Sequence, residues 1–454
     1  MSKKIVLVSN GPVPTSQYKK IEGGGMRAFG LAQGLLAHGH DVTVAIRDTY
    51  PQLEKAENGI KLINWAPGRH LHEIIKSFDV VIISYSTGGI ASAVADQISD
   101  DKLFILDCYV PIYIEVSARA SEDKHTELKN YFRDITHFNR TLQRGDYFLY
   151  ANNNQKHFYN GVLSSHGIIN PVTYPQKRLL EVPFGISSEA GIVNKSVYEK
   201  IGVQKNDFIF LWFGGLYPWF DIKDLLVAIR DINELNKKVK LVIVGGKNPY
   251  NSNPDFLRQY EKAKEFSETN HLEKKVIFFV DWVDYEDRIS WYRGADAIIT
   301  LNSPGDENEY SWRTRLMDFI WGGAAVLTNG GDPLSEELIK NNAAIRVDSV
   351  NPLNFKDELI KLTGDNKARI NSVRNNLTDL RVKYIWENVV LELSNIIASN
   401  EANPYRIFKE SYSDILNSKN PGRKKSIVGR LFFKIREVGL KTTTKIVLRK
   451  MLNK

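Results

Sequence analysis

The chain has 454 residues, 43% hydrophobic and 25% charged, with one cysteine and a formal net charge of +8 at neutral pH. This is an ordinary globular composition in a chain too long for one compact core, so two domains with additions are expected. The lone Cys108 excludes an internal disulfide and a cysteine-based metal site, and fits a reducing compartment. No window approaches the roughly 18 apolar residues of a membrane span. The short apolar run after Lys3-Lys4 reads as a first strand rather than a signal peptide.

In chain order, residues 5–9 form that strand, a glycine loop (Glu22-Gly23-Gly24-Gly25-Met26-Arg27) follows, and a helix is predicted over 26–38. Gly39 stands where a C-cap glycine belongs, and residues 41–46 make the next strand. Glycines at a helix start let backbone N–H groups approach a phosphate or sugar, with the helix dipole in favour. A triple glycine is equally a flexible turn, and the G-x-G-x-x-G spacing of dinucleotide binders is absent. His38 and His40 flank the helix end and read as structural. Further strands are predicted at 80–84, 103–107 and 147–151, which gives a βαβ pattern and a parallel sheet covered by helices.

After Val182-Pro183-Phe184-Gly185-Ile186 the pattern restarts. A strand at 207–213 leads into Gly214-Gly215-Leu216-Tyr217-Pro218-Trp219-Phe220-Asp221, whose aromatics fit either core packing or a flat surface for a base or sugar. Residues 240–244 lead into Gly245-Gly246, strands follow at 276–280 and 297–301, and 324–328 lead into Asn329-Gly330-Gly331. The fold class is therefore α/β, two Rossmann-like halves with a boundary near 186–200. Residues 351–400 are predicted helical, and 384–398 carry a continuous apolar face suited to packing back across a cleft.

Residues 305–323, G-D-E-N-E-Y-S-W-R-T-R-L-M-D-F-I-W-G-G, follow a strand and a run of breakers, with a helix predicted over 312–321. Strand, loop, helix is the order that places ligands at the carboxyl edge of a parallel sheet. Arg313 and Arg315 stand near the predicted helix N-terminus, where an anion such as phosphate is favoured. Glu307 and Glu309 suit sugar hydroxyls, and Asp318 a second hydroxyl pair such as a ribose. The other reading is a solvated loop with weak surface ion pairs. No His/Asp/Glu cluster has ligand spacing, so no metal is expected.

Residues 419–454 hold twelve Lys or Arg against Glu437, a charge of +11, which leaves the rest of the chain at −3. Ile427, Leu431, Ile435 and Val438 share one helical face there. A basic amphipathic tail suits an anionic membrane surface, and a disordered or protein-docked tail is the other reading. Nucleic acid is not expected, since no recognisable binding module accompanies the charge.

Several motifs together resemble family-4 retaining glycosyltransferases of the GT-B fold, of the bacterial surface polysaccharide type. They are Gly23-Gly24-Gly25, H-G-H-D-V-T-V at 38–44, V-P-F-G-I at 182–186, the strand and G-G-x-Y at 208–217, and S-x-R-T-R-x-x-D-x-x-W-G-G. L-D-C-Y-V-P-I-Y-I-E at 106–115 and Q-K-H-F-Y-N-G-V-L at 155–163 are also similar to segments of some members. The resemblance spans about residues 3–400.

It implies an acceptor-side domain over 1–190 and a donor domain over 191–385, which the apolar helix pattern and the basic run extend with a helix at 386–405 crossing back and a tail at 406–454. A nucleotide diphosphate sugar would bind with Gly23, Gly24, Gly25, Gly214, Gly215, Tyr217 and Asp318. Asp107, Tyr109 and Glu115 would face a glycan or lipid-linked acceptor, and no cofactor is implied. The setting would be the cytoplasmic face of the membrane, in polysaccharide synthesis, with hexosyl transfer and retention.

The chain departs from the family's E-x7-E pattern because Tyr310 stands eight residues before Asp318. Glu307 or Glu309 would then contact the sugar and Asp318 the ribose. The Arg and Lys expected after the first strand of the donor domain are missing, so Arg313 and Arg315, with Lys223 a weaker candidate, would supply countercharge to the diphosphate. A sugar-nucleotide epimerase, a phosphorylase, or a glycan-binding or membrane scaffold with a degenerate site remain as alternatives.

Overall fold

The structure is a computed structural model that describes residues 1–399, apart from 16–20, 48–54, 66–69, 85–88, 118–122, 175, 195, 221, 250–253, 350 and 365–366. The basic tail therefore lies outside the described residues. Among those described, no helix is long and apolar enough to cross a membrane.

Two sheets organise the chain. The first contains β1 (Lys4–Ser9), β2 (Asp41–Arg47), β3 (Lys55–Glu57), β4 (Ile60–Trp65), β5 (Val80–Ser84), β6 (Leu103–Asp107), β7 (Tyr147–Tyr150) and β8 (Leu179–Glu181). Its order is β3-β4-β2-β1-β5-β6-β7-β8, parallel except for the short β3 edge, which pairs antiparallel with β4. The second contains β9 (Phe208–Phe213), β10 (Val239–Val244), β11 (Ile277–Val280), β12 (Ala297–Thr300), β13 (Val326–Thr328) and β14 (Ile345–Arg346). It is parallel throughout, in the order β11-β10-β9-β12-β13-β14.

The apolar runs have a direct cause in this arrangement, since strands covered by helices on both faces bury every side chain. In β1, Ile5 and Leu7 join one core while Val6 and Val8 join another. In β9, Ile209 and Leu211 face the first of these cores, and Phe208, Phe210 and Trp212 face a third on the far side. The shared core runs without a break from Ile5 and Leu7 through Ile186 and Tyr198 to Leu211 and Val244, so the two halves are packed on common apolar ground.

The chain returns to the first half after the Lys367–Lys383 helix. Ile385 bridges to Ile186 as a parallel pair, and the Trp386 ring lies 5.2 Å from that of Phe184. Gly30, on the Gly23–Ala37 helix, has to be glycine because a Cβ there would lie 2.0 Å from Cε2 of Trp386. His38 and His40 are held by the same return, through the Glu387 carbonyl at 2.8 Å and the Ser394 hydroxyl at 3.0 Å.

In each sheet the strand order reverses direction beside one strand, between β1 and β5 and between β9 and β12. Ligands bind outside the carboxyl ends of strands at such a switch point. The loops after β9 and β12 carry Gly214-Gly215 and residues 301–313, so topology brings these two segments to one edge.

Candidate functional site

The β12 loop differs from its sequence expectation. Gly305, with φ +139°, turns the chain into a short helix, Asp306–Tyr310, whose first turn carries Asp306, Glu307 and Glu309. Carboxylates at a helix N-terminus are favoured by its dipole, and this supports a helix in what reads as a loop. The chain is extended at Ser311, and the next helix is Thr314–Gly322, with Arg313 as its N-cap. The expected helix over 312–321 thus starts two residues later.

Two cavities of about 220 and 210 Å³ open at this edge and share Tyr217, Thr314 and Arg315 in their walls. The first lies between Tyr109, Pro111, Ile114 and Glu115 of the first half and Trp219, Phe220, Glu307, Trp312 and Arg313 of the second. The second lies between Glu22, Gly23 and Met26 and the wall formed by Gly214, Gly215, Asn248, Trp282, Tyr285, Arg288 and Asp318. Asn248 joins its two sides, donating from Nδ2 to Glu22 Oε1 and to the Tyr217 hydroxyl, each at 3.1 Å.

Three arginines stand in these walls in different electrostatic states. Arg313 forms a fork with Glu307, Nη1 to Oε1 at 2.9 Å and Nη2 to Oε2 at 2.8 Å, and donates to Asn308 Oδ1 at 2.9 Å. Its charge is compensated within the protein. Arg288 pairs with Asp318 at 3.3 Å and lies 3.6 Å from the centre of the Tyr285 ring. Burial raises the Asp318 carboxyl pKa, while Arg288 and the Tyr292 hydroxyl, which donates to it at 3.2 Å, pull it back down.

Arg315 has no carboxylate partner among the described residues. Its Nη2 donates to the Gly215 carbonyl at 2.9 Å, its guanidinium stacks 4.0 Å from the centre of the Phe220 ring, and Nη1 is buried without a partner. Burial is the main cause that pulls its pKa down to about 10, reinforced by Arg313 and opposed by Tyr217, Tyr292 and the more distant charge of Glu307. A partly desolvated guanidinium with a buried, unpartnered N–H and no paired anion is a costly arrangement that a bound anion relieves. Gly214, at φ +101°, brings the β9 loop so close that a Cβ would lie 3.3 Å from Arg315 Nη2.

The structure gathers Gly23, Gly214, Gly215, Tyr217, Glu307, Arg313, Arg315, Asp318, Tyr109 and Glu115 on the two cavity walls. Gly24, Gly25, Glu309 and Asp107 lie off them. Gly25 packs on Pro12, whose carbonyl oxygen leaves 1.9 Å for a Cβ, so close packing accounts for that glycine. Glu309 is exposed. Asp107 is 4% exposed and bound by Arg27, Nε to Oδ2 at 2.6 Å and Nη2 to Oδ1 at 2.8 Å, instead of facing an acceptor. Two further expected residues have partners within the protein. Arg313 is neutralised by Glu307 rather than open to phosphate, and Asp318 is engaged by Arg288. Lys223 is exposed and lines neither cavity.

Sequence reading missed Glu22, Asn248, Trp282, Tyr285 and Arg288. Trp282 and Tyr285 carry the signal recognised at 217–220, aromatics after a strand end, here following β11.

No family model matches this sequence, and no curated protein matches it. Solved structures do. A sucrose-phosphate synthase from Thermosynechococcus elongatus is 14% identical with a TM-score of 0.63, covering 87% of this chain and 98% of its own. WaaG, a glycosyltransferase involved in lipopolysaccharide biosynthesis, is 14% identical with a TM-score of 0.59, over 87% and 99%. HepE of Anabaena, in complex with UDP and glucose, is 10% identical with a TM-score of 0.58, over 87% and 100%. The chain has the GT-B fold of these glycosyltransferases, two parallel-sheet α/β halves with the site at their facing edges.

Proposed function

We propose that the protein is a glycosyltransferase that takes a sugar from a nucleotide diphosphate donor. The observation that carries this reading is Arg315, a half-buried cation with an unpartnered, buried Nη1 and no carboxylate partner among the described residues, where two cavities meet at the sheet edge. A diphosphate leaving group gathers negative charge as the glycosidic bond breaks, and a fixed cation beside it stabilises that charge. The Thr314–Gly322 helix, which begins at the same wall, adds its N-terminal dipole. Arg315 takes the role of the Arg and Lys absent after β9, so we propose no metal requirement.

On this reading the nucleoside occupies the cavity walled by Trp282, Tyr285 and Asp318, and the transferred sugar the one walled by Trp219, Phe220 and Glu307. The ribose role of Asp318 requires its carboxylate to serve Arg288 and a hydroxyl pair together. The acceptor enters past Tyr109 and Glu115. We further propose retention and hexosyl transfer, in the manner of family 4, with the departing phosphate accepting the acceptor's proton on the same face.

A glycan or lipid-linked acceptor in cell-surface polysaccharide synthesis is the proposed setting. The basic residues 419–454 would hold the protein on the cytoplasmic face of the membrane. The proposed division is an acceptor-side domain at 1–190 and a donor domain at 191–385.

The test is a thermal-shift screen of nucleotide sugars, beginning with UDP-glucose because HepE holds UDP and glucose. A donor at 100 times its Kd stabilises the fold by about 2.7 kcal/mol. Transfer by the stabilised protein supports the reading. Stabilisation by no nucleotide sugar refutes it, and turnover without an acceptor, or with free phosphate, points to an epimerase or a phosphorylase.

A further inference from the structure

The end of the Asp306–Tyr310 helix and the two residues after it present four successive backbone carbonyls, and each accepts a hydrogen bond from a side chain of the first half. Asn154 Nδ2 donates to Glu309 O at 2.7 Å and Gln155 Nε2 to Tyr310 O at 2.9 Å. Asn152 Nδ2 donates to Tyr310 O and Ser311 O at 3.3 Å each, and the Tyr109 hydroxyl donates to Trp312 O at 2.6 Å.

These carbonyls lie at the end of one helix and before the next, where the chain supplies no partners of its own. The donors are themselves fixed. Gln155 is 0% exposed, accepts at Oε1 from Ala151 N–H at 2.8 Å and also donates to Tyr109 O at 3.0 Å. Asn152 caps the Asn153–Ser165 helix by accepting from Gln155 N–H at 3.0 Å. Gln155 opens the 155–163 motif noted in the sequence.

We propose that Gln155, Asn152 and Tyr109 are positioning residues for glycosyl transfer. They fix the 309–312 segment against the first half, and through it Glu307 and Arg313, which stand at its two ends on the wall of the first cavity. This rests on the glycosyltransferase reading. Arg315 lies beyond the clasp, on the following helix and anchored to Gly215, so nucleotide binding does not depend on the clasp. A displacement of about 1 Å at a reacting group costs roughly 100-fold in rate.

The experiment uses the full chain with Asn152→Ser, which keeps the helix cap but cannot reach the carbonyls, Tyr109→Phe, and the double variant. Binding of the nucleoside diphosphate product of the active donor is measured beside kcat and donor KM. The expected result for the double variant is binding within about twofold of the parent and kcat lower by about 10- to 100-fold. Asn152→Ala, which also loses the cap, should lower Tm further than Asn152→Ser while matching its kcat.

A double variant with the parental kcat overturns the proposal, as does a kcat loss that follows Tm or nucleotide affinity. A parent chain that neither binds nor turns over any nucleotide sugar overturns the functional reading and this proposal with it. An active parent with unimpaired variants overturns the clasp alone.

Discussion

Arg27 and Arg315 occupy comparable places in the two halves, each early in a helix at the carboxyl edge of a parallel sheet, and their surroundings are opposite. Arg27 is closed on all sides. Asp107 takes two of its N–H groups, the carbonyls of Val182 and Pro183 take others at 2.9 and 3.0 Å, and its guanidinium lies 4.3 Å from the centre of the Tyr109 ring. Arg315 has one backbone carbonyl, an aromatic face and a buried Nη1 without a partner. The same side chain is thus a structural tie in one half and an open cation in the other. What separates them is whether the fold supplies an anion.

The largest expected effect is on the closed side. Asp107→Ala leaves the Arg27 guanidinium buried without its carboxylate and should cost about 3–5 kcal/mol in denaturant unfolding. A loss below 1 kcal/mol would make the pair a surface-like one and remove the contrast. Gly30→Ala, three residues along the same helix, drives a methyl into the Trp386 ring and should cost about 1–3 kcal/mol. Unchanged stability there would mean that the returning Trp386 does not hold the helix that carries Arg27.

The smallest effect is a pH dependence. Burial holds the free Arg315 pKa near 10, below its ordinary value, and a bound diphosphate raises it again. Binding therefore takes up protons above about pH 10, so nucleoside diphosphate affinity should be flat around neutrality and fall as pH rises past 10. Calorimetric titrations at a series of pH values check this. Affinity that rises in that range contradicts it.

The strands were legible because their apolar runs end in glycine pairs or turn residues, as at 208–213 and 239–244. The β3 edge, β4, β8 and β14 were not; β3, β8 and β14 are two or three residues long, too short to hold a period. The candidate segment at 305–323 was legible as a place and not as a circuit. Arg313 and Glu307 are six residues apart across a break between two helices, a spacing that no single-helix rule pairs. Arg27 and Asp107 lie 80 residues apart, and only the adjacency of their elements in the first half joins them. Sequence therefore located Arg313 and Arg315, while the structure showed which of the two already has a counterion.

The central claim, that Arg315 is the cation awaiting a diphosphate, is tested most directly by calorimetric binding of the donor's nucleoside diphosphate to the parent, Arg313→Ala and Arg315→Ala proteins. The account predicts a loss of about 100-fold in affinity for Arg315→Ala, with partial recovery in Arg315→Lys, and a much smaller change for Arg313→Ala. Parental affinity in a folded Arg315→Ala protein would contradict it.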